Sequence, residues 1–199
     1  MKLSEIDRSR KTVFSLEVFP PKKSSPLESI TNILGEMRPF EPDFISVTFG
    51  AGGSLADNST CKISSLIKHQ YGIEPLAHLS CVNLSRSEVL GVLKQLEEAG
   101  VENVLALRGD RDPSRTPKED FHYACELIKL VRENSEMGIA AACYPETHPE
   151  ALSPEEDLRH LKEKVEAGAT HLISQLFFDN HDFIDFLYRV RSAGIEVPV

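Results

Sequence analysis

The feature that most narrows the fold is a repeated alternation. Short apolar runs of strand character are each followed by a longer segment of helical periodicity. The runs fall near Thr12 to Phe19, Asp43 to Phe49, Glu74 to Ser80, Asn103 to Leu107, Gly138 to Tyr144 and His171 to Phe177, and a seventh begins near Ile195. Strands that alternate with helices pair in parallel, because a parallel crossover needs room for a helix. The punctuation is equally regular. Ser25-Pro26-Leu27-Glu28, Thr116-Pro117-Lys118-Glu119 and Ser153-Pro154-Glu155-Glu156 each combine an N-cap, a proline at the first helical position and a glutamate completing a capping box. Ser85-Arg86-Ser87-Glu88 repeats the box without the proline. Gly100, Gly168 and Gly194 each follow an alanine, where a left-handed cap would hand the chain to the next strand.

Two architectures use such units, the doubly wound open sheet and the (β/α)8 barrel, and both place ligands at the carboxyl ends of the strands. Polar residues separate them. Glu17, Thr48, His78, Arg108 with Asp110, Tyr144 and Gln175 stand at successive strand ends. An open sheet gathers its site at one switch point, whereas a closed barrel brings every strand end to a common mouth, so the pattern predicts an α/β fold of the TIM-barrel type. A full barrel takes about 250 residues. With 199 residues and about six and a half units visible, residues 1–199 read as a single catalytic barrel domain, truncated at its C-terminus.

The charge balance excludes some partners. Lys and Arg total 22 against 31 for Asp and Glu, and a net charge of -9 repels phosphate backbones and anionic lipid. Neither nucleic acid nor a membrane is expected as a partner. The first residues, Met1 to Arg8, lack the apolar stretch of a signal peptide, so a cytoplasmic location is expected. Cys61, Cys81, Cys125 and Cys143 are widely spaced and read as reduced core thiols. The histidines show no metal-ligand spacing, and no metal is expected.

Three segments could carry chemistry. Glu17 lies in Phe14-Ser15-Leu16-Glu17-Val18-Phe19-Pro20-Pro21, where burial would raise its pKa and suit it to donate a proton; a Glu paired with a core cation is the plainer alternative. Arg108-Gly109-Asp110 sets a cation and an anion around a glycine that lets a ligand approach the backbone, or it is simply a turn. Tyr144-Pro145-Glu146-Thr147-His148-Pro149-Glu150 is either a rigid platform for a planar ligand or a stiffened loop. Phe49-Gly50-Ala51-Gly52-Gly53 is glycine-rich, but Leu55 occupies the third glycine's place in GxGxxG, which disfavours a dinucleotide fold.

The strings SLEVFPPK, VTFGAGG, AHLSC, ALRGD, AACYPETHPEA and GATHLISQLFFD resemble, in order and spacing, segments of the methylenetetrahydrofolate reductase family. The resemblance implies a barrel holding FAD, with NADH or NADPH and 5,10-methylenetetrahydrofolate alternating in ping-pong hydride transfer. It implies Glu17 as the general acid that protonates the folate, Asp110 as a carboxylate facing flavin and pterin, and Gln175 as a substrate-binding amide. Thr48, Phe49, Ala51, His78, Arg108, Gly109, Asp110, Ala124, Tyr144, His148, Ala151, Asp157, His160 and Lys164 fall where the family contacts its cofactors. In this sequence Phe49 stands where the family often has Tyr, and His160 and Glu163 replace residues that in some members help to hold the cofactor. The folate is the expected small-molecule partner, and a homo-oligomer stays open. A non-catalytic fragment or subunit, and a flavin-free pterin-binding barrel enzyme, are the alternatives.

Overall fold

The computed structural model describes residues 1–6, 12–21, 28–49, 58–110 and 118–199. Among these residues six strands alternate with six α-helices: β1 (Ser15–Val18), α1 (Glu28–Met37), β2 (Phe44–Val47), α2 (Ser59–Tyr71), β3 (Glu74–Ser80), α3 (Arg86–Glu98), β4 (Asn103–Leu107), α4 (Ala124–Asn134), β5 (Gly138–Cys143), α5 (Pro154–Ala167), β6 (His171–Ser174) and α6 (Asn180–Ser192). The strands form one sheet in chain order, β1-β2-β3-β4-β5-β6, and every pair is parallel. The sheet curls as a half-barrel, so the chain has the α/β architecture of a (β/α)8 barrel over six successive units.

Two-residue periodicity divides the core. Ala77, Leu79, Val104, Ala106, Ile139 and Ala141 face outward and pack with Val89, Leu93 and Leu96 of α3 and Leu127, Ile128 and Val131 of α4. Ile45 and Val47 do the same with Ile30 and Leu34 of α1 and Ile63 and Ile67 of α2. Each such Leu or Ile, fully buried, contributes about 1.5–3 kcal/mol. The intervening positions Phe44, Leu76, Leu105 and Ala140 meet inside the curve, together with Leu3.

Below that interior layer lies a polar knot. Glu74, at the start of β3, is 7% exposed. Its carboxylate accepts from Lys68 Nζ at 2.7 Å and from Asn103 Nδ2 at 2.9 Å, while Asn103 Oδ1 accepts from the Leu3 N–H at 2.8 Å. Lys68 also bonds Glu102, holding that carboxyl down at about 2.

The caps follow the sequence in part. Ser85 accepts from Glu88 N–H and Ser153 from Glu156 N–H, and Gly100, Gly168 and Gly194 all have positive φ. The Ser25-Pro26-Leu27 segment, the glycine-rich stretch 50–53 with Ala51, and Thr116-Pro117 lie outside the described residues. The helix expected after Thr116 is corrected: Lys118 and Glu119 are not helical, and α4 begins at Ala124. There the Glu126 carboxylate accepts from the His122 and Tyr123 N–H groups, and the buried run from Leu127 begins directly. The strand expected near Ile195 is also corrected. Pro198 O accepts from the Leu172 N–H at 2.8 Å, but proline has no N–H to return, and no ladder develops there. No helix among the described residues is long and apolar enough to cross a membrane.

Candidate active site

At the carboxyl ends of the strands the inward-facing row changes from apolar to polar. On β3, Leu76 belongs to the interior cluster, and His78, two residues on, opens into a cleft of about 1070 Å³. Glu17 and Thr48 reach the same cleft from β1 and β2. Register places Glu17 opposite Ser46, whose hydroxyl donates to Glu17 Oε2 at 3.0 Å. His78 Nε2 stands 3.4 Å from the same oxygen, close enough for charge attraction but not aligned as a hydrogen bond, and it has no other partner among the described residues. The Glu17 side chain is 46% exposed and that of His78 only 10%. The expectation of a raised Glu17 pKa is therefore corrected. The neighbouring imidazole, with help from Ser46, holds the carboxyl below its ordinary value, against the opposing effect of burial.

Arg108, Gly109 and Asp110 follow β4 on the adjoining wall. Gly109 has φ of 80°, and a Cβ there would lie 2.8 Å from the Ser80 Cβ, so this turn requires glycine. The Asp110 carbonyl accepts from Asn83 Nδ2 at 3.1 Å, and Asp110 lines the cleft. Glu17 and Asp110 thus share one cavity. Arg108 is already forked: Nη1 and Nη2 each donate to a Glu150 oxygen at 2.6 Å, a bidentate pair spanning two walls. Glu150, foremost, raises the Arg108 pKa further.

The Tyr144 to Glu150 loop is internally braced. Tyr144 and His148 meet edge to face at 4.6 Å, the His148 N–H donates to Asp157 at 3.0 Å, and His148 Nδ1 accepts from the Glu150 N–H at 3.1 Å. Ala151 completes this wall. Lys164, from α5, sends Nζ to the Ala142 carbonyl at 2.9 Å, and burial of the ammonium lowers its pKa although Asp157 opposes this. Along the outer rim Tyr123 stacks on His160 with ring centroids 5.0 Å apart, beside Ala124. Gln175, just past β6, lies on the opposite wall.

The structure brings together every predicted site residue except two: Ala51 lies outside the described residues, and Phe49 packs against the outer core instead of lining the cleft. Sequence reasoning missed Glu150, Tyr123, His122, Glu126 and Cys125, all of which line the cleft. Cys61 and Cys125 are half-buried and pack against the main core, Cys125 also reaching the cleft, while Cys81 and Cys143 are buried, and burial pushes both up to about 12.

The methylenetetrahydrofolate reductase family model matches residues 2–199. The chain belongs to the methylenetetrahydrofolate reductase family. It is 37% identical to the 5,10-methylenetetrahydrofolate reductase of Salmonella typhimurium over 93% of this chain and 62% of that protein. It is 35% identical to a probable methylenetetrahydrofolate reductase (NADH) of Oryza sativa, across 100% of this chain and 36% of the rice protein. The chain thus spans less than two thirds of the length of these reductases. Among solved structures, an uncharacterised Clostridium thermocellum protein that binds two copies of 5-methyl-5,6,7,8-tetrahydrofolic acid shares the fold, with TM-score 0.59 at 12% identity over 96% of this chain and 65% of that one.

Proposed function

We propose that this chain carries the cofactor and substrate site of an FAD-dependent enzyme that reduces 5,10-methylenetetrahydrofolate to 5-methyltetrahydrofolate with NADH or NADPH. The observation that carries the reading is the convergence of Glu17, Asp110 and Gln175 on one cleft with the arginine, lysine and histidines of its other walls. Family membership supports the reaction type, and the name of the rice relative supports NADH as a reductant.

The cleft residues suit a flavin dinucleotide. A desolvated lysine and a glycine that admits no side chain are features that a polar, planar ligand would complete. Arg108 and Lys164 would answer its phosphates, Asp157 its hydroxyls, and Tyr144, His148 and His78 its ring system. When bound, the flavin would supply the redox chemistry, relaying hydride from nicotinamide to folate in alternation. The protein's task is placement and proton supply. Glu17 would give a proton to the folate nitrogen that leaves when the five-membered ring opens, a transfer worth about 10²- to 10⁴-fold in rate. Asp110 would stabilise the cationic iminium by its charge and hold the pterin amino group.

The visible spectrum of the purified full-length enzyme tests the reading. A flavin absorption that bleaches under anaerobic NADH or NADPH and returns with methylenetetrahydrofolate is expected. A colourless protein, or one whose bleached flavin ignores the folate, would overturn it.

A further inference from the structure

As the acid of the proposed reaction, Glu17 must hold a proton when substrate is seated. In the open cleft its surroundings favour the ionised form. The group chiefly responsible is also the nearest proton source, because His78 Nε2 lies 3.4 Å from Glu17 Oε2. That nitrogen is buried and without a hydrogen-bond partner among the described residues. An orphaned buried polar atom costs about 1–3 kcal/mol, so its orientation calls for a reason. We propose that His78 and Glu17 form a shared-proton pair, in which the imidazole stores the proton and delivers it to the carboxylate when folate seals the cleft. The inference rests on the folate-reduction reading above and makes His78 a positioning and proton-supplying residue for it.

The dielectric drives the transfer. In water an imidazole holds a proton more tightly than a carboxylate, by about two pH units in ordinary side chains. Excluding water penalises a carboxylate and an imidazolium side by side and favours their neutral forms. The Nε2–H bond breaks as an O–H bond forms on Glu17 Oε2. That O–H bond then breaks as the departing folate nitrogen takes the proton. A neutral imidazole and a carboxylate remain, and His78 regains one proton from water when product leaves, so each turnover consumes one proton.

Ser46 donates to the same Oε2 and holds that oxygen in place beside the ring. The remaining charged groups near the pair lie on other walls of the cleft: Arg108 and Asp110 after β4, Asp157 and Lys164 on α5. None of these contributes to the shift at Glu17, which arises from His78 and Ser46 working against burial.

Infrared difference spectra of the flavin-loaded full-length enzyme test the pair directly. Adding 5-methyltetrahydrofolate to the oxidised enzyme should produce a protonated-carboxyl band, assigned to Glu17 by its loss in E17Q. In H78Q the band should fall by about half or more. Stopped-flow kinetics supply a second readout: in H78Q the rate of flavin reoxidation by methylenetetrahydrofolate should drop about 10-fold or more relative to flavin reduction by NADH in the same variant. The high-pH decline of reoxidation should move to lower pH, because the pair keeps its proton to a higher pH than the carboxylate alone. H78N repeats the comparison should H78Q bind flavin too weakly. A full band and a wild-type pH profile in the His78 variants would overturn the pair while leaving the folate reading intact. A wild-type enzyme whose flavin is not reoxidised by folate would overturn both.

Discussion

The inside of the curved sheet holds a polar cluster at each end, and the two are built to different rules. At the amino ends of the strands, Glu74 is buried and its carboxylate is met by Lys68 and Asn103, while Asn103 serves the Leu3 backbone in turn. At the carboxyl ends, Glu17 is half exposed, His78 Nε2 has no aligned partner, and Lys164 has a single carbonyl. A saturated buried network rigidifies, whereas an incompletely satisfied one leaves bonding capacity for something that binds. The lower cluster is therefore assigned to stability and the upper to chemistry, and substitutions at the two ends should separate these quantities.

The largest effect is expected at the upper end. Glu17→Gln should slow folate-dependent flavin reoxidation by about 10²- to 10⁴-fold in stopped flow, with unfolding free energy changed by less than about 0.5 kcal/mol, as for a surface substitution. Glu74→Ala should do the reverse, costing about 1–3 kcal/mol in denaturant unfolding because it removes a buried acceptor shared by Lys68 and Asn103, with the flavin dissociation constant unmoved. Equal loss of stability in both variants would erase the distinction between the two ends.

Lys164→Met tests whether the upper cluster holds its charge at a cost. Burial lowers the lysine's folded-state pKa below its unfolded value, so the unfolded chain binds the proton more tightly. The destabilisation is complete below the folded pKa and is relieved as pH rises from there toward the ordinary lysine value. Removing the charge should therefore raise stability at neutral pH and flatten the alkaline rise. Flavin affinity should fall by about 10-fold or more, the worth of a charge-assisted hydrogen bond, measured by fluorescence titration. A stability loss would show the lysine to be structural. The smallest effect belongs to the frame: Ser153→Ala should cost about 1 kcal/mol by removing the α5 cap next to the cleft.

Much of this frame was legible in the sequence. Strands β3 and β4 match their expected bounds because nearly every residue in them is buried, so the apolar run and the strand coincide. β1 came out shorter than its run because its ladder with β2 covers only Ser15 to Val18, while the flanking apolar residues Val13, Phe14 and Phe19 stand exposed. The mouth of the barrel was legible as a polar residue at each strand end. What could not be read were pairings across the cleft. Arg108 and Glu150 are 42 residues apart and meet only because β4 and β5 are neighbours. The same holds for Tyr123 with His160. The direction of the Glu17 shift was misread for a related reason, since the imidazole that decides it comes from β3, a strand away from its nearest sheet neighbour.

The contact at Gly109 reaches beyond binding. Because even a methyl group would collide there with Ser80 while the backbone sits in the left-handed region, a library randomised at codon 109 and selected for growth should return glycine alone. The neighbouring codon 110 would tolerate variation in fold but not in turnover. A mutational scan of this three-residue turn would then show two kinds of intolerance side by side, one set by sterics and one by charge.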